Sequence, residues 1–250
     1  MAQNLGRTVG RVLVGLALAG WAGATAAEPT RASHQVAGLE APAEILVDQW
    51  GVSHIYAASV RDAFFLQGYN VARDRLWQID LWRKRGLGLL AKDFGPDFAA
   101  QDRAARLFLY RGDMAAEWAA YGPQAKGYAE AFTAGINAYV GETRAGARPL
   151  PEEFTITGTT PDLWRPDEVV AQAEDIPADA IGSNNWTVAP SRTATGRPIL
   201  ANDPHRAHGV PSLRYIVHME APGFSAIGAG EPALPGVSIG HNGTIAFGLT

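Results

Sequence analysis

The chain has 250 residues, no cysteine, 47% hydrophobic residues and a formal net charge of −4 from 21 basic and 25 acidic side chains. That length holds one large domain or two small ones with a sizeable core. The missing cysteines exclude disulfides, thiolate metal sites and a cysteine nucleophile, and with no basic run longer than three residues there is no electrostatic footprint for nucleic acid or an anionic membrane surface.

The chain opens with Arg7 and Arg11, an apolar stretch over residues 12–22 and then Ala24-Thr25-Ala26. These are the charged start, apolar middle and small-residue cleavage site of a secretory signal peptide over residues 1–26. The apolar stretch is shorter than the roughly 18 residues of a membrane-spanning helix, so the mature chain is expected in the periplasm or outside the cell, free of the membrane once the signal is cut. Cleavage removes two arginines and no acid, which leaves a more acidic protein.

Two apolar runs, 45–47 and 52–56, flank Gln49-Trp50-Gly51 and predict a hairpin. From Ser59 a long helix is predicted, because Phe65, Tyr69, Ala72, Leu76 and Ile79 recur at spacings of four and three on one face. Ser59 with Asp62 resembles a capping box, and Arg83, Lys84 and Arg85 before Gly86 suit a helix C-terminus with a glycine cap. Trp77 and Trp82 on this helix are expected in the core. A second helix is predicted from Pro123 through Tyr128, Phe132, Ile136 and Tyr139 to Gly141.

Residues 141–175 are proline-rich, with Pro149, Pro151, Pro161 and Pro166. They predict an irregular wrapping segment with one short helix after Pro166, whose Phe154, Ile156, Leu163 and Trp164 need burial. After Gly182 the periodicity drops to about two. NWTVAP, RPILAND, LRYIVHMEA, FSAIGA, GVSIGHN and TIAFGLT are short β-branched and aromatic runs separated by turn residues. The expected class is α+β, a helical layer first and an antiparallel sheet second, with the boundary near Gly182.

The segment GSNNWTVAPSRTATGRPILANDPH, followed by APGF, LPGV and IGHNGTIAFGLT, resembles the processing region of the penicillin amidase (penicillin acylase) family of N-terminal-nucleophile hydrolases. GVSHIYA, GYNVARDRLWQIDLWRKRGLGLLAKDFG and GINAYV are similar to that family's first chain, so the resemblance runs from about residue 44 to 250 with one gap. It implies an αββα sandwich, incomplete over these residues, and a precursor that cuts itself before a serine. Ser183 matches the nucleophile, and Gly182 the residue whose carbonyl is attacked during maturation. The implied organisation is a signal peptide over 1–26, a first chain with any spacer over 27–182, and the start of a catalytic chain over 183–250. A serine hydroxyl needs a base, and a freed α-amino group with an ordinary pKa of about 7.7 to 8.0 is a suitable one.

His205 matches the position of a histidine beside the nucleophile in glutaryl-cephalosporin and acyl homoserine lactone acylases, where its imidazole would orient or polarise the serine–amine pair. Its alternative role is a turn residue bonded to backbone. His208, His218 and His241 are expected to be surface or structural residues, and Asn184, Asn185 and Trp186 to serve strand packing and turns. The resemblance implies an N-acyl amide hydrolase acting on a small molecule of β-lactam or acyl homoserine lactone type. It requires no cofactor; calcium is possible by resemblance, with no ligand set assigned. The partners implied are that substrate and the two processed chains for each other.

Family members are longer, and the implied oxyanion donors fall past Thr250, so the chain reads as an N-terminal portion. The fifteen residues between Trp164-Arg165-Pro166 and Gly182 imply either a compact first chain or a deletion. Two other functions are open at this stage. One is an inactive truncated homologue acting as a secreted binding module. The other is a Ser183–His205–Asp203 hydrolase, disfavoured because no G-x-S-x-G elbow surrounds Ser183.

Overall fold

The computed structural model describes residues 31–168, 182–205 and 208–249. The predicted leader and residues 169–181 lie outside them. From Val36 onward the chain forms one compact unit. The hairpin expected at Gln49-Trp50-Gly51 is present, with β1 (Glu44–Val47) and β2 (Ser53–Tyr56) pairing antiparallel.

The long helix α1 spans Val60–Leu87. Ser59 accepts a hydrogen bond from the Asp62 N–H at 3.0 Å, as an N-cap does. The second half of a capping box does not form, because the Asp62 carboxylate accepts instead from the Glu40 and Ala41 N–H groups at 3.2 and 3.1 Å. Gly88, with φ 65, ends the helix in place of the expected Gly86; this left-handed conformation costs glycine little. Phe65, Tyr69, Ala72, Leu76 and Ile79 are all buried, as their spacing predicts, and Trp82 joins them with Trp77 packed alongside.

Three helices lacked a sequence signal: α2 (Leu90–Phe94), α3 (Ala99–Leu107) and α4 (Met114–Ala120). The second predicted helix is α5, Ala125–Arg144, which starts after Pro123 and runs through Gly141. It crosses α1 where Gly68 and Gly135 face each other. A Cβ on Gly68 would collide with the Phe132 carbonyl oxygen, and one on Gly135 with that of Phe65. The missing side chains let the two backbones touch. The proline-rich segment holds α6 (Glu152–Thr157) as well as a 3-10 turn at Pro166–Glu168. Of its four apolar residues, Phe154 and Trp164 reach the core, whereas Ile156 and Leu163 stay exposed.

Charged groups fix the end of α1. Arg83 Nη2 donates to Glu168 at 2.9 Å and its Nη1 lies 3.4 Å from Asp162, while Lys84 sits 2.7 Å from Asp80 and 2.5 Å from Asp93. Burial works to lower the Lys84 pKa, but the bonds to Asp80 and Asp93 outweigh it and hold the ammonium above the ordinary lysine value. Buried ion pairs of this kind are costly to break from one side only.

All six strand-like runs after Gly182 are strands: β3 (Ser183–Val188), β4 (Ile199–Pro204), β5 (Tyr215–Ala221), β6 (Phe224–Gly230), β7 (Ile239–His241) and β8 (Ala246–Phe247). They do not form one sheet. β3 and β4 make a separate two-stranded ribbon, and the other strands form a six-stranded sheet in the order β1-β2-β5-β6-β7-β8. The division into a helical half and a sheet half is therefore corrected, because β1 and β2 extend the later sheet through a parallel β2–β5 pairing. Ile55, Val217 and Met219 from this seam are fully buried against Phe64, Phe65 and Leu66 of α1 and Ala131 of α5. The mixed helix-and-sheet content fits the α+β class.

Candidate active site

The β3–β4 ribbon carries the residues singled out by their sequence. Thr193 Oγ1 donates to the carbonyls of Pro190 and Arg197 at 3.1 and 2.8 Å, and Gly196 takes φ 67, so residues 189–198 close into a turn. This sets a register in which Ser183 lies opposite Pro204 and Asn184 opposite Asp203. The pleat then puts Ser183 and Pro204 on one face of the ribbon, and Asn184 and Asp203 on the other.

Two donors meet at the Gly182 carbonyl oxygen. Ser183 Oγ donates to it at 2.6 Å and the His205 backbone N–H at 3.0 Å. The candidate nucleophile is thus held against the carbonyl of the bond that precedes it, and the same carbonyl is polarised by a backbone donor. A Cβ on Gly182 would stand 3.0 Å from His205 Nδ1, so the imidazole packs over a position that has room only for glycine or a slightly displaced neighbour.

The His205 ring itself belongs to the Asn184–Asp203 face. Its Nε2 lies 3.0 Å from Asp203 Oδ2 and 3.4 Å from Asn184 Nδ2, and Asn184 Nδ2 donates to the same Asp203 oxygen at 3.3 Å. The hydrogen bond with His205, with that from Asn184 behind it, holds the Asp203 carboxyl below the usual carboxylate range. The structure thus brings Ser183 to Gly182 and the His205 ring to Asp203. The His205–Asp203 half of a Ser-His-Asp arrangement is formed on the face away from Ser183.

Asn184, set aside on sequence as a packing residue, is the third member of the polar cluster. Only the strand register reveals it, since its partners lie about twenty positions downstream. His208 lines a depression of about 490 Å³ together with Asp203, His205 and Arg214. His241 accepts from the Gly243 N–H at 3.3 Å in a turn, a structural role. His218 faces His54, a residue the sequence did not single out, with 3.2 Å between their Nδ1 atoms. Asn202 Nδ2 donates to the Leu249 carbonyl at 2.9 Å and ties the ribbon to the segment after β8.

Among the described residues no group of three or more histidine, aspartate or glutamate side chains gathers where it could hold a metal ion. Among the same residues no helix is long and apolar enough to cross a membrane.

A family model described as penicillin amidase matches residues 42–250. Penicillin acylase 2 proenzyme from Pseudomonas sp. (strain SE83) is 30% identical over 295 residues, covering 89% of this chain and 38% of that protein. The acyl-homoserine lactone acylase QuiP of Pseudomonas aeruginosa is 25% identical over 294 residues, covering 89% of this chain and 34% of its own. A solved structure of a thermostable penicillin G acylase from Alcaligenes faecalis is 26% identical, covers 51% of this chain and 68% of that one, and superposes with a TM-score of 0.48. The chain spans little more than a third of the length of these curated relatives. Both alignments are longer than the chain, so the relatives carry segments with no counterpart here.

Proposed function

The chain belongs to the penicillin amidase family, and from that premise we propose that it serves the hydrolysis of N-acyl amides after cutting itself at Gly182-Ser183. The observation that carries this reading is the approach of Ser183 Oγ to the Gly182 carbonyl, 2.6 Å from its oxygen, with the His205 N–H on the same oxygen. Maturation begins when the Ser183 hydroxyl oxygen attacks the Gly182 carbonyl carbon. Negative charge then develops on an oxygen already facing a backbone donor, and a donor of this type is worth about 10²–10³ in rate. The Gly182 C–N bond breaks as the nitrogen takes the proton, which leaves an ester on Ser183 and a free α-amine. Water hydrolyses the ester and releases Ser183 as a new amino terminus.

The mature reaction reuses the same atoms. The α-amine accepts the proton of the Ser183 hydroxyl as its oxygen attacks a substrate acyl carbon. The amine product departs with that proton, and water releases the acid from the acyl-serine. The names of the matched relatives support a β-lactam or acyl homoserine lactone amide as substrate, and the word proenzyme in one of them supports self-cleavage. The same proposal includes an αββα sandwich, export to the periplasm or beyond, no cofactor, and continued association of the two segments through β2 and β5.

Intact-mass and amino-terminal analysis of the exported protein, expressed from its full reading frame beside a Ser183→Ala control, tests the proposal. The expected result is a new terminus at Ser183 in the parent and none in the control. An uncut parent would overturn it and favour a secreted binding role.

A further inference from the structure

A cavity of about 620 Å³ opens between α4, the start of α5 and the turn at Pro166–Glu168. Its size is that of a small-molecule site, and no described residue of the β3–β4 ribbon lines it. The helix α4 buries none of its residues, although it carries Met114 and Trp118. Side chains three and four apart share a helix face, so Met114, Glu117, Trp118 and, just past the helix end, Tyr121 stand together, and all four line the cavity. The Trp118 and Tyr121 rings are tilted by 52° with centroids 5.8 Å apart. Phe108 and Tyr110, from the segment between α3 and α4, add two more rings. Folding leaves these rings in water, with Phe108 89% exposed and Tyr110 and Tyr121 each 55% exposed. Aromatic surface gathered in one concavity and left unburied marks a place for a partner.

The charges of the lining say what kind. Three carboxylates, Glu117, Asp167 and Glu168, share the cavity with one guanidinium, Arg165. Glu168 is only 5% exposed and takes both nearby cations, with Arg165 Nη2 2.8 Å from one of its oxygens and Arg83 Nη2 2.9 Å from the other. Glu117 and Asp167 make no ion pair among the described residues. The lining therefore combines ring faces, which carry the negative end of the aromatic quadrupole, with carboxylates that no lining base cancels.

A metal ion does not answer to this lining, because no group of ligating side chains gathers among the described residues. A cation whose charge is clothed in alkyl groups meets both demands, since it packs on the rings and is attracted by rings and carboxylates alike. We propose that this cavity binds a small organic cation of the quaternary ammonium class. Its charged centre sits within about 6 Å of the Trp118 and Tyr121 rings, with Glu117 and Asp167 supplying the counter-charge. The occupant is a free cation, because the phosphate of a choline headgroup would face those two carboxylates. This site stands apart from the acyl chemistry proposed for Ser183 and does not rest on it.

The test is calorimetric titration of the full 250-residue chain with choline, with the neutral alcohol in which carbon replaces the choline nitrogen, and with phosphocholine. The expected results are one choline per chain, at least tenfold weaker binding of the alcohol, and weaker binding of phosphocholine than of choline. Trp118→Ala should weaken choline at least tenfold, and Trp118→Phe should keep part of the affinity. The double variant Glu117→Gln, Asp167→Asn should weaken choline and leave the alcohol unchanged, a selectivity that a damaged fold would not produce. Circular dichroism checks that each variant folds, and the comparison of choline with the alcohol in the parent decides without any variant. No binding of choline, equal binding of the alcohol, or unchanged choline affinity in folded Trp118→Ala overturns the site. Phosphocholine binding as tightly as choline overturns the assignment to a free cation and points to a headgroup.

Discussion

The six-stranded sheet and the β3–β4 ribbon use similar strands in opposite ways. Along β5, Val217, Met219 and Ala221 are buried at every second position, and Ile55 joins them from β2. Along β3 no residue is buried, and Trp186 is 54% exposed. The sheet is held by its packing on α1 and α5. The ribbon is held by its own ladder, its turn and the Asn202 link to Leu249. A lone two-stranded ribbon is marginal in water, so the difference separates where the fold gets its stability from where it carries the candidate site.

Substitutions in the two regions should therefore differ sharply. Phe132 on α5 is fully buried, and Phe132→Ala should cost about 3–5 kcal/mol in denaturant unfolding because a cavity opens under the core. Next comes Gly135→Ala, whose added methyl meets the Phe65 carbonyl. No rotamer relieves a clash between backbones, and a loss of about 1–3 kcal/mol is expected by the same measurement. In the ribbon, Trp186→Ala should leave global stability within about 0.5 kcal/mol, as exposed sites do. Equal losses at Phe132 and Trp186 would break the contrast; a silent Gly135→Ala would show that the helices do not depend on close approach.

Much of this was legible in the sequence, for identifiable reasons. The spacing from Phe65 to Ile79 marks a buried helical face because 3.6 residues make a turn, and the six later strands show through alternation and turn residues. Gly86 and Gly88 both invite a helix end, and only the backbone shows which adopts the positive φ. The short, alanine-rich α3 and α4 bury no apolar side chain, so no core-facing row of large residues marks them in the sequence. The pairing of β2 with β5 depends on contacts between distant parts of the chain that no local pattern encodes. At the site, Gly182 and Ser183 are recognisable from their neighbours. The face taken by the His205 ring, and the part played by Asn184, depend on a register that the turn at residues 189–198 sets.

The β2–β5 seam also governs the order of assembly. His54 and His218 are separated by 164 positions, and closing so long a loop is an entropic cost met late in folding. During synthesis the β1–β2 hairpin exists long before its partner strand, so the α1–α5 pair is the first stable scaffold available to hold it. The cut proposed at Gly182-Ser183 would, after that step, sever the tether that makes the pairing unimolecular. Recovery of the sheet from the unfolded state would then be an encounter between two molecules, and persistence of the cut form would rest on slow unfolding rather than on ready return.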